Sequence, residues 1–155
     1  MASAPILVVH SEEEMNAAAR RLAPLLTPGR PLLLTGPIGA GKSHLARGLI
    51  QAMLGRNEDV PSPTYTIVQT YIAKDFEIWH ADLYRISDSS EIIELGLDEA
   101  LAEAAVIIEW PDRLPRELVP SSAIHIEIQP IGDTREVRVS GQVIADILQV
   151  LGADV

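Results

Sequence analysis

The chain has 155 residues, a length typical of one domain, so we predict a single domain over residues 1–155. Apolar residues make up 47% and charged residues 22%, which predicts a hydrophobic core and excludes a disordered or coiled-coil protein. Acidic residues outnumber basic ones by 22 to 12, and the net charge of −10 excludes strong direct binding to nucleic acid or to an acidic membrane surface. Cysteine is absent and no run of about 18 apolar residues could span a membrane, so we expect a cytoplasmic protein.

The first predicted elements are a short strand and a capped helix. Ile6–Val9 is a β-favouring run. Ser11, followed three residues later by Glu14, has the spacing of a capping box, and an alanine-rich segment continues to about Leu26. We therefore expect a helix that begins at Ser11 and ends near Leu26.

A strand, a glycine-rich loop and a second helix follow in direct succession. Pro31–Thr35 is a continuous apolar run, which suits a strand buried on both faces. The loop covers residues 36–41, and from Lys42 to about Leu54 the apolar positions recur at helical spacing. This order predicts one half of a βαβ unit.

The rest of the chain predicts strands mixed with short helices, so the expected fold class is α/β with antiparallel hairpins in a mixed sheet. The predicted strands are a hairpin of Tyr65–Ile72 and Phe76–Leu83, a central strand at Val106–Ile108, and two antiparallel strands around Ile124–Ile128 and Val137–Val139 joined by a turn at Pro130–Asp133. The predicted helices begin near Ser87, at Leu97 and at Gln142, with the last one ending at Leu151.

The glycine-rich loop fits the phosphate-binding pattern G-x-x-x-x-G-K-[ST], and it stands between a strand and a helix as that pattern requires. Its backbone N–H groups and the positive end of the helix dipole would attract phosphates. Lys42 would reach the β- and γ-phosphates, and Ser43 would offer an oxygen to Mg²⁺. The predicted nucleotide-binding residues of the loop are Gly36, Pro37, Ile38, Gly39, Ala40, Gly41, Lys42 and Ser43.

Two carboxylates follow predicted strands and are candidates for the metal and for catalysis. Glu109 directly follows the apolar run Val106–Ile108, where a P-loop protein normally places its metal-binding acid; an exposed strand-end acid is the alternative. Asp82 could orient or deprotonate a water molecule, or it could cap the next turn. His80 lies on the same strand face as Asp82, but the other histidines are scattered and cysteine is absent, so we expect no zinc site.

Four blocks in this order and spacing closely resemble the TsaE (YjeE) family of bacterial ATPases. They are Gly39–Ser43, Ser62–Thr66, His80–Arg85 and Glu109–Pro111, and the resemblance covers roughly residues 5 to 140. It implies a three-layer P-loop NTPase-like domain that binds ATP and Mg²⁺. It also implies an ATPase needed for threonylcarbamoyl modification of adenosine 37 in tRNAs that read codons beginning with A.

The resemblance also implies roles for individual residues. Ser43 and Glu109 serve the metal, while Asp82 and Thr64 lie near the γ-phosphate and act in catalysis together with Lys42. Ser11 and Arg135 match positions near the nucleotide base. The family often has an acid and a threonine where this chain has Pro37 and Ser43, and serine keeps the oxygen for Mg²⁺.

The expected partners are proteins of the TsaB and TsaD type, which hold the tRNA and transfer the group. An acidic chain would dock on a basic protein surface better than on tRNA, and Arg85 and Trp110 are candidate interface residues.

Two other function classes compete with the partner-dependent ATPase. A small-molecule kinase of this fold would be expected to carry an arginine-rich lid, whereas here the segment after the P-loop helix has only Arg56. A nucleotide-dependent binding module would show negligible hydrolysis. A GTPase of the familiar type is not expected, because neither Lys42 nor Lys74 follows an asparagine.

Overall fold

Seven strands form one mixed sheet in the computed structural model, which describes residues 6–55, 60–61, 63 and 67–141. The strands are β1 (Ile6–Val9), β2 (Leu32–Thr35), β3 (Val68–Ile72), β4 (Glu77–Asp82), β5 (Ala105–Glu109), β6 (Ile124–Ile131) and β7 (Thr134–Ser140). The helices are α1 (Glu12–Leu22), α2 (Lys42–Leu54), α3 (Ser90–Glu94) and α4 (Leu97–Glu103), with short 3₁₀ turns at Ala23–Leu25, Pro111–Arg113 and Arg116–Leu118.

The sheet has a parallel centre and antiparallel edges. Its strand order is β1-β7-β6-β2-β5-β4-β3, in which β6, β2, β5 and β4 run parallel to one another. The hairpin of β3 and β4 forms one edge, and β7 and β1 extend the other edge in antiparallel pairing. The α/β class with antiparallel hairpins is therefore confirmed.

Helices cover both faces of the sheet and make the three predicted layers. Leu32 and Leu34 of β2 pack in one hydrophobic cluster with α1 and α2, while Leu33 packs in a second cluster with α3 and α4. Because successive side chains of a strand point to opposite faces, the unbroken apolar run of β2 serves both clusters. All five residues of β5 are buried as well, as predicted for a central strand.

Helix α1 begins as the sequence predicts but ends earlier. The Ser11 hydroxyl accepts a hydrogen bond from the backbone N–H of Glu14 at 3.1 Å, so Ser11 is the N-cap. The α-helix stops at Leu22 instead of continuing to Leu26, and the chain passes into a 3₁₀ turn. Pro24 explains the difference, because it has no N–H to donate and its ring clashes with the preceding helical turn.

The two hairpins are confirmed with altered turns. β4 begins at Glu77 and not at Phe76, so the first turn is one residue longer than predicted, and the second turn is shorter. β6 continues through Pro130 and Ile131 and pairs with β7 up to Thr134, so the turn is only Gly132 and Asp133, not Pro130–Asp133. Gly132 has a φ of 57°, the left-handed conformation that a tight turn favours.

Some predictions lie outside the described residues. These are the helix at Gln142–Leu151, the catalytic position Thr64, and the strand start at Tyr65 and Thr66. In the part of the chain that the structure describes, no helix is both long enough and apolar enough to cross a membrane.

Candidate functional site

The carboxyl ends of three neighbouring parallel strands meet at one edge of the sheet and form the floor of a cleft. β2 ends at Thr35 and passes into the glycine-rich loop, β4 ends at Asp82, and β5 ends at Glu109. Asp82 and Glu109 are directly paired in the β4–β5 register, so the two carboxylates stand side by side. Ligands of open α/β sheets bind at such strand ends.

The loop over residues 36–41 depends on glycine where its backbone approaches other parts of the chain. A Cβ added at Gly36, which has a φ of 149°, would lie 2.5 Å from the carbonyl oxygen of Ile128. Gly41 has a φ of 108° and forms the N-terminal end of α2, where a Cβ would lie 3.3 Å from Met15 Cε. Both positions therefore need glycine to hold the loop against its neighbours.

Lys42 is the first residue of α2, and its ammonium group points back into the loop. Its Nζ donates hydrogen bonds to the carbonyl oxygens of Gly36 and, at 3.1 Å, Pro37. The same Nζ lies 4.2 Å from the centre of the Trp110 ring, a cation–π contact. Burial lowers the pKa of Lys42, and the negative charges of Glu109 and Asp82 partly offset that effect.

The residues predicted to serve a metal are in direct contact. Ser43 Oγ donates to the Glu109 carboxylate and lies 3.0 Å from Oε1 and 3.3 Å from Oε2. His80 Nε2 contacts Glu109 Oε2 at 2.7 Å from the neighbouring strand. Glu109 is only 2% exposed, so it is a buried acid held by two polar groups and not an exposed strand-end residue.

Asp82 has the turn-capping contact that the sequence offered as one of its two roles, and its role in catalysis stays a prediction. Its Oδ1 accepts a hydrogen bond from the backbone N–H of Tyr84 at 3.0 Å, which is the turn-capping role. Its side chain also lines the cleft and is 5% exposed. The capping bond holds the carboxylate in place beside Glu109.

Trp110 and Tyr84 form an aromatic wall next to the two carboxylates. Their ring centres are 5.0 Å apart. Trp110 has a φ of 59°, a left-handed conformation that is strained for a bulky residue and turns its indole toward Lys42. Trp110 is half-buried and Arg85 is exposed, and a role of either one in an interface stays a prediction.

The other half of the cleft is formed by α1, α2 and β7. The whole cleft has a volume of about 450 Å³, and this half is lined by Glu12 and Met15 of α1, His44 of α2 and Arg135 of β7. Arg135 Nη2 donates to the carbonyl oxygen of Gly39 at 3.2 Å and so closes over the loop. Ser11 does not line the cleft, and its hydroxyl caps α1; its contact with a nucleotide stays a prediction.

Most of the predicted site residues are brought together by the fold. Those that line the cleft are Ile38, Gly39, Gly41, Lys42, Ser43, Asp82, Glu109 and Arg135. Gly36, Pro37 and Ala40 shape the loop without lining the cleft, and Thr64 lies outside the described residues.

The lining residues Glu12, Met15, His44 and Tyr84 were not predicted from the sequence. Glu12 and Met15 carry a weak signal, because they follow the Ser11 cap within one helical turn. His44 directly follows the motif. Tyr84 belongs to the block that carries the family resemblance.

The donor set fits Mg²⁺ and a nucleotide triphosphate. A hydroxyl and a buried carboxylate are hard oxygen ligands, and Mg²⁺ usually takes one or two carboxylates and completes its shell with phosphates and water. The described residues hold no group of three histidine, cysteine or acidic side chains that could bind a metal alone. An ion here would therefore depend on phosphate oxygens, which the adjacent loop is built to hold.

A glycine-rich loop of the phosphate-binding pattern between β2 and α2, with a buried acid at the end of β5, defines a protein of the P-loop NTPase-like fold. The sequence model of the family described as "Threonylcarbamoyl adenosine biosynthesis protein TsaE" matches residues 9–137. The chain belongs to this family, as its motifs indicate.

Individual relatives agree with the family match. The tRNA threonylcarbamoyladenosine biosynthesis protein TsaE of Rickettsia bellii (strain RML369-C) is 37% identical over 128 residues, covering 83% of this chain and 88% of that protein. The protein of the same name from Bacillus subtilis (strain 168) is 37% identical over 122 residues, covering 78% of this chain and 75% of that protein. The crystal structure of Bacillus subtilis YdiB matches with a TM-score of 0.78 and 28% identity over 100% of this chain and 99% of that one.

Proposed function

We propose that this chain binds ATP with Mg²⁺ in the cleft and hydrolyses it as part of the threonylcarbamoyl modification of adenosine 37 in tRNA. The single observation that carries the proposal is the contact of Ser43 with the buried Glu109, directly beside Asp82 and the phosphate-binding loop. This contact supports a metal-binding pair of Ser43 and Glu109, with Asp82 as a second carboxylate near the γ-phosphate of a bound nucleotide. The names of the relatives supply the pathway.

In this proposal each residue has a distinct task. The loop N–H groups and Lys42 hold the phosphates, and Lys42 exchanges its carbonyl partners for phosphate oxygens. Ser43 and Glu109 hold Mg²⁺, which when bound neutralises charge on the β- and γ-phosphates. Asp82 orients a water molecule whose oxygen attacks the γ-phosphorus, and it accepts a proton as the bond to ADP breaks.

The negative charge of the chain is the reason why partner proteins are part of the proposal. A chain of net charge −10 repels the phosphate backbone of tRNA, so proteins of the TsaB and TsaD type would hold the tRNA and transfer the group. Nucleotide turnover would then act on the assembly and not on the tRNA directly. We propose that the protein acts in the cytoplasm.

Release of phosphate from ATP tests the proposal, measured for the chain alone, with purified partner proteins, and with partners and tRNA. We expect slow release alone and faster release with the partners. Lys42→Met should lower the partner-stimulated rate at subsaturating ATP, while Lys74→Met, which removes the other lysine, should keep it. Consumption of ATP only with a small hydroxyl compound would indicate a kinase instead, and no release in any mixture would indicate a binding module.

A further inference from the structure

His80 is a buried polar side chain that the phosphate-binding motif does not explain. It lies on β4, is 1% exposed, and contacts Glu109 Oε2 through Nε2 at 2.7 Å. Ile78 stands on the same face of the same strand and is fully buried in the hydrophobic cluster. An apolar side chain would therefore suit position 80 as well as position 78 if packing were its only role.

The two ring nitrogens of His80 have different surroundings. Nδ1 is buried and has no hydrogen-bond partner among the described residues, so a hydrogen on it would have no acceptor. The hydrogen therefore sits on Nε2, which donates to Glu109. Within the described part of the chain, one of its own nitrogens stays unsatisfied while the residue satisfies the carboxylate, which indicates that the contact with Glu109 is what it provides.

The contact with His80 differs from the other contact of Glu109 because it does not use an expected metal ligand. Ser43 Oγ also donates to this carboxylate, but the same oxygen is the expected metal ligand, so its position would also depend on the ion. His80 lies on β4, outside the phosphate-binding loop, and its side chain does not line the cleft. It can therefore keep Oε2 fixed before and after an ion arrives.

We infer that His80 is a positioning residue that orients the Glu109 carboxylate for the Mg²⁺ ion bound with the nucleotide. The inference rests on the proposed function, since it requires that Glu109 serve a metal. Hydrogen-bonded partners of ligating carboxylates restrict the directions in which the oxygens face the ion. A zinc site is not needed to explain why a histidine stands at position 80, because its Nε2 contacts the Glu109 carboxylate.

Three substitutions separate the hydrogen bond from packing. His80→Gln keeps an N–H donor near the position of Nε2. His80→Leu removes the donor but fills space, and His80→Asn carries its amide too close to the backbone to reach Glu109. Ile78→Ala is the matched control, because it damages the same buried strand face without touching Glu109.

The experiment titrates Mg²⁺ into each protein saturated with ADP and follows binding by calorimetry, so no turnover is needed. We expect the Leu and Asn variants to bind Mg²⁺ about 10- to 100-fold more weakly, with the Gln variant and Ile78→Ala close to the parent. Metal-free ADP affinity should stay unchanged in all of them. In a Glu109→Ala background, His80→Leu should add no further loss, because the residue it orients is gone.

Equal Mg²⁺ affinity in the parent and in whichever of the Leu and Asn variants folds would overturn the inference. So would an equal loss in the Gln variant and Ile78→Ala, which would make His80 a packing residue. A parent protein whose ADP binding ignores Mg²⁺ would overturn the proposed function itself, and it would be seen before any variant is made.

Discussion

The two halves of the cleft are built in different ways. At the strand ends, Asp82, Glu109 and His80 are at most 5% exposed. His80 and Glu109 contact each other between neighbouring strands, and Asp82 accepts a hydrogen bond from the backbone N–H of Tyr84 in the next turn. In the other half, Glu12 of helix α1 is exposed and Arg135 of strand β7 is half-buried. The first half is built from buried charged or polar groups with hydrogen bonds, and the second half contains charged side chains that are more exposed.

If the cleft binds a nucleotide as proposed, this difference predicts which part of the nucleotide the protein distinguishes. Buried, hydrogen-bonded groups discriminate strongly, because a wrong ligand leaves them unpaired away from water. Exposed side chains can exchange a lost contact for water at little cost. We therefore expect large effects from changes at the phosphate and metal end, and small effects at the end assigned to the base.

The largest effect should come from Asp82→Asn, measured as the rate of ATP hydrolysis under saturating ATP. Loss of a general base typically lowers the rate about 10²- to 10⁴-fold. ATP affinity should be unchanged or tighter, because a negative charge next to the γ-phosphate is removed. Asparagine keeps the Oδ1 acceptor for the Tyr84 N–H, so the turn is preserved.

Asp82→Ala is the control for that result, because it removes both the charge and the turn cap. If Asp82→Asn instead loses ATP affinity and thermal stability together while turnover per bound nucleotide persists, Asp82 is a turn cap only. The buried half of the cleft would then contain one functional carboxylate fewer.

Lys42→Met should have the next largest effect, on nucleotide affinity. It removes the ammonium group, and with it the cation–π contact with Trp110, but it keeps the glycines and an unbranched side chain. Loss of charged hydrogen bonds to phosphate weakens binding by about 10- to 100-fold. The control is Lys74→Met in the exposed turn between β3 and β4, and calorimetry with ADP and ATP compares the two. Near-parent affinity in a folded Lys42→Met protein would contradict the P-loop assignment.

The sequence predicted the parts of this site that depend on short segments. The glycine-rich loop and α2 follow from a local pattern, and Glu109 follows from a strand directly before it. The contact of His80 with Glu109 could not be predicted, because it requires that β4 lie next to β5, and these strands are separated by two helices. Pairing between distant strands is a property of the whole sheet.

The half of the cleft formed by α1, α2 and β7, which we call the open half, was predicted least well for the same reason. Glu12 and Met15 face the loop only because α1 packs beside α2, and Arg135 reaches Gly39 only because β7 pairs with β1 and β6. The sequence pattern at Ser11 indicated a helix cap correctly, but it carried no information on what that end of the helix faces.

A smaller effect concerns the stability of the protein without nucleotide. Burial lowers the pKa of Lys42 from its ordinary value of 10.5 in the folded state. Between the lowered pKa and 10.5, the unfolded chain binds more protons, so this residue's contribution to the unfolding free energy rises with pH. Below that interval the folded protein carries the full cost of the buried charge.

Lys42→Met removes that cost, so it should be at least as stable as the parent at neutral pH. Its advantage should shrink as pH rises through the alkaline interval below 10.5. Urea unfolding at a series of pH values checks the sign. An advantage that grows with pH would mean that the contacts with Gly36, Pro37 and Trp110 outweigh burial.

The smallest effect should come from Arg135→Ala, which tests the open half of the cleft directly. The substitution removes the bond from Nη2 to the Gly39 carbonyl, an exposed contact, so ADP affinity should fall by no more than about tenfold. Arg138→Ala is the charge-matched control, because Arg138 lies on the same strand, outside the cleft. The ratio of ATP to GTP affinity should change little, since a flexible, half-buried guanidinium stacks on either base without reading its edge. A loss as large as that of Lys42→Met, or a sharp change in base preference, would mean that Arg135 orders the loop from outside, and that the two halves of the cleft act as one unit.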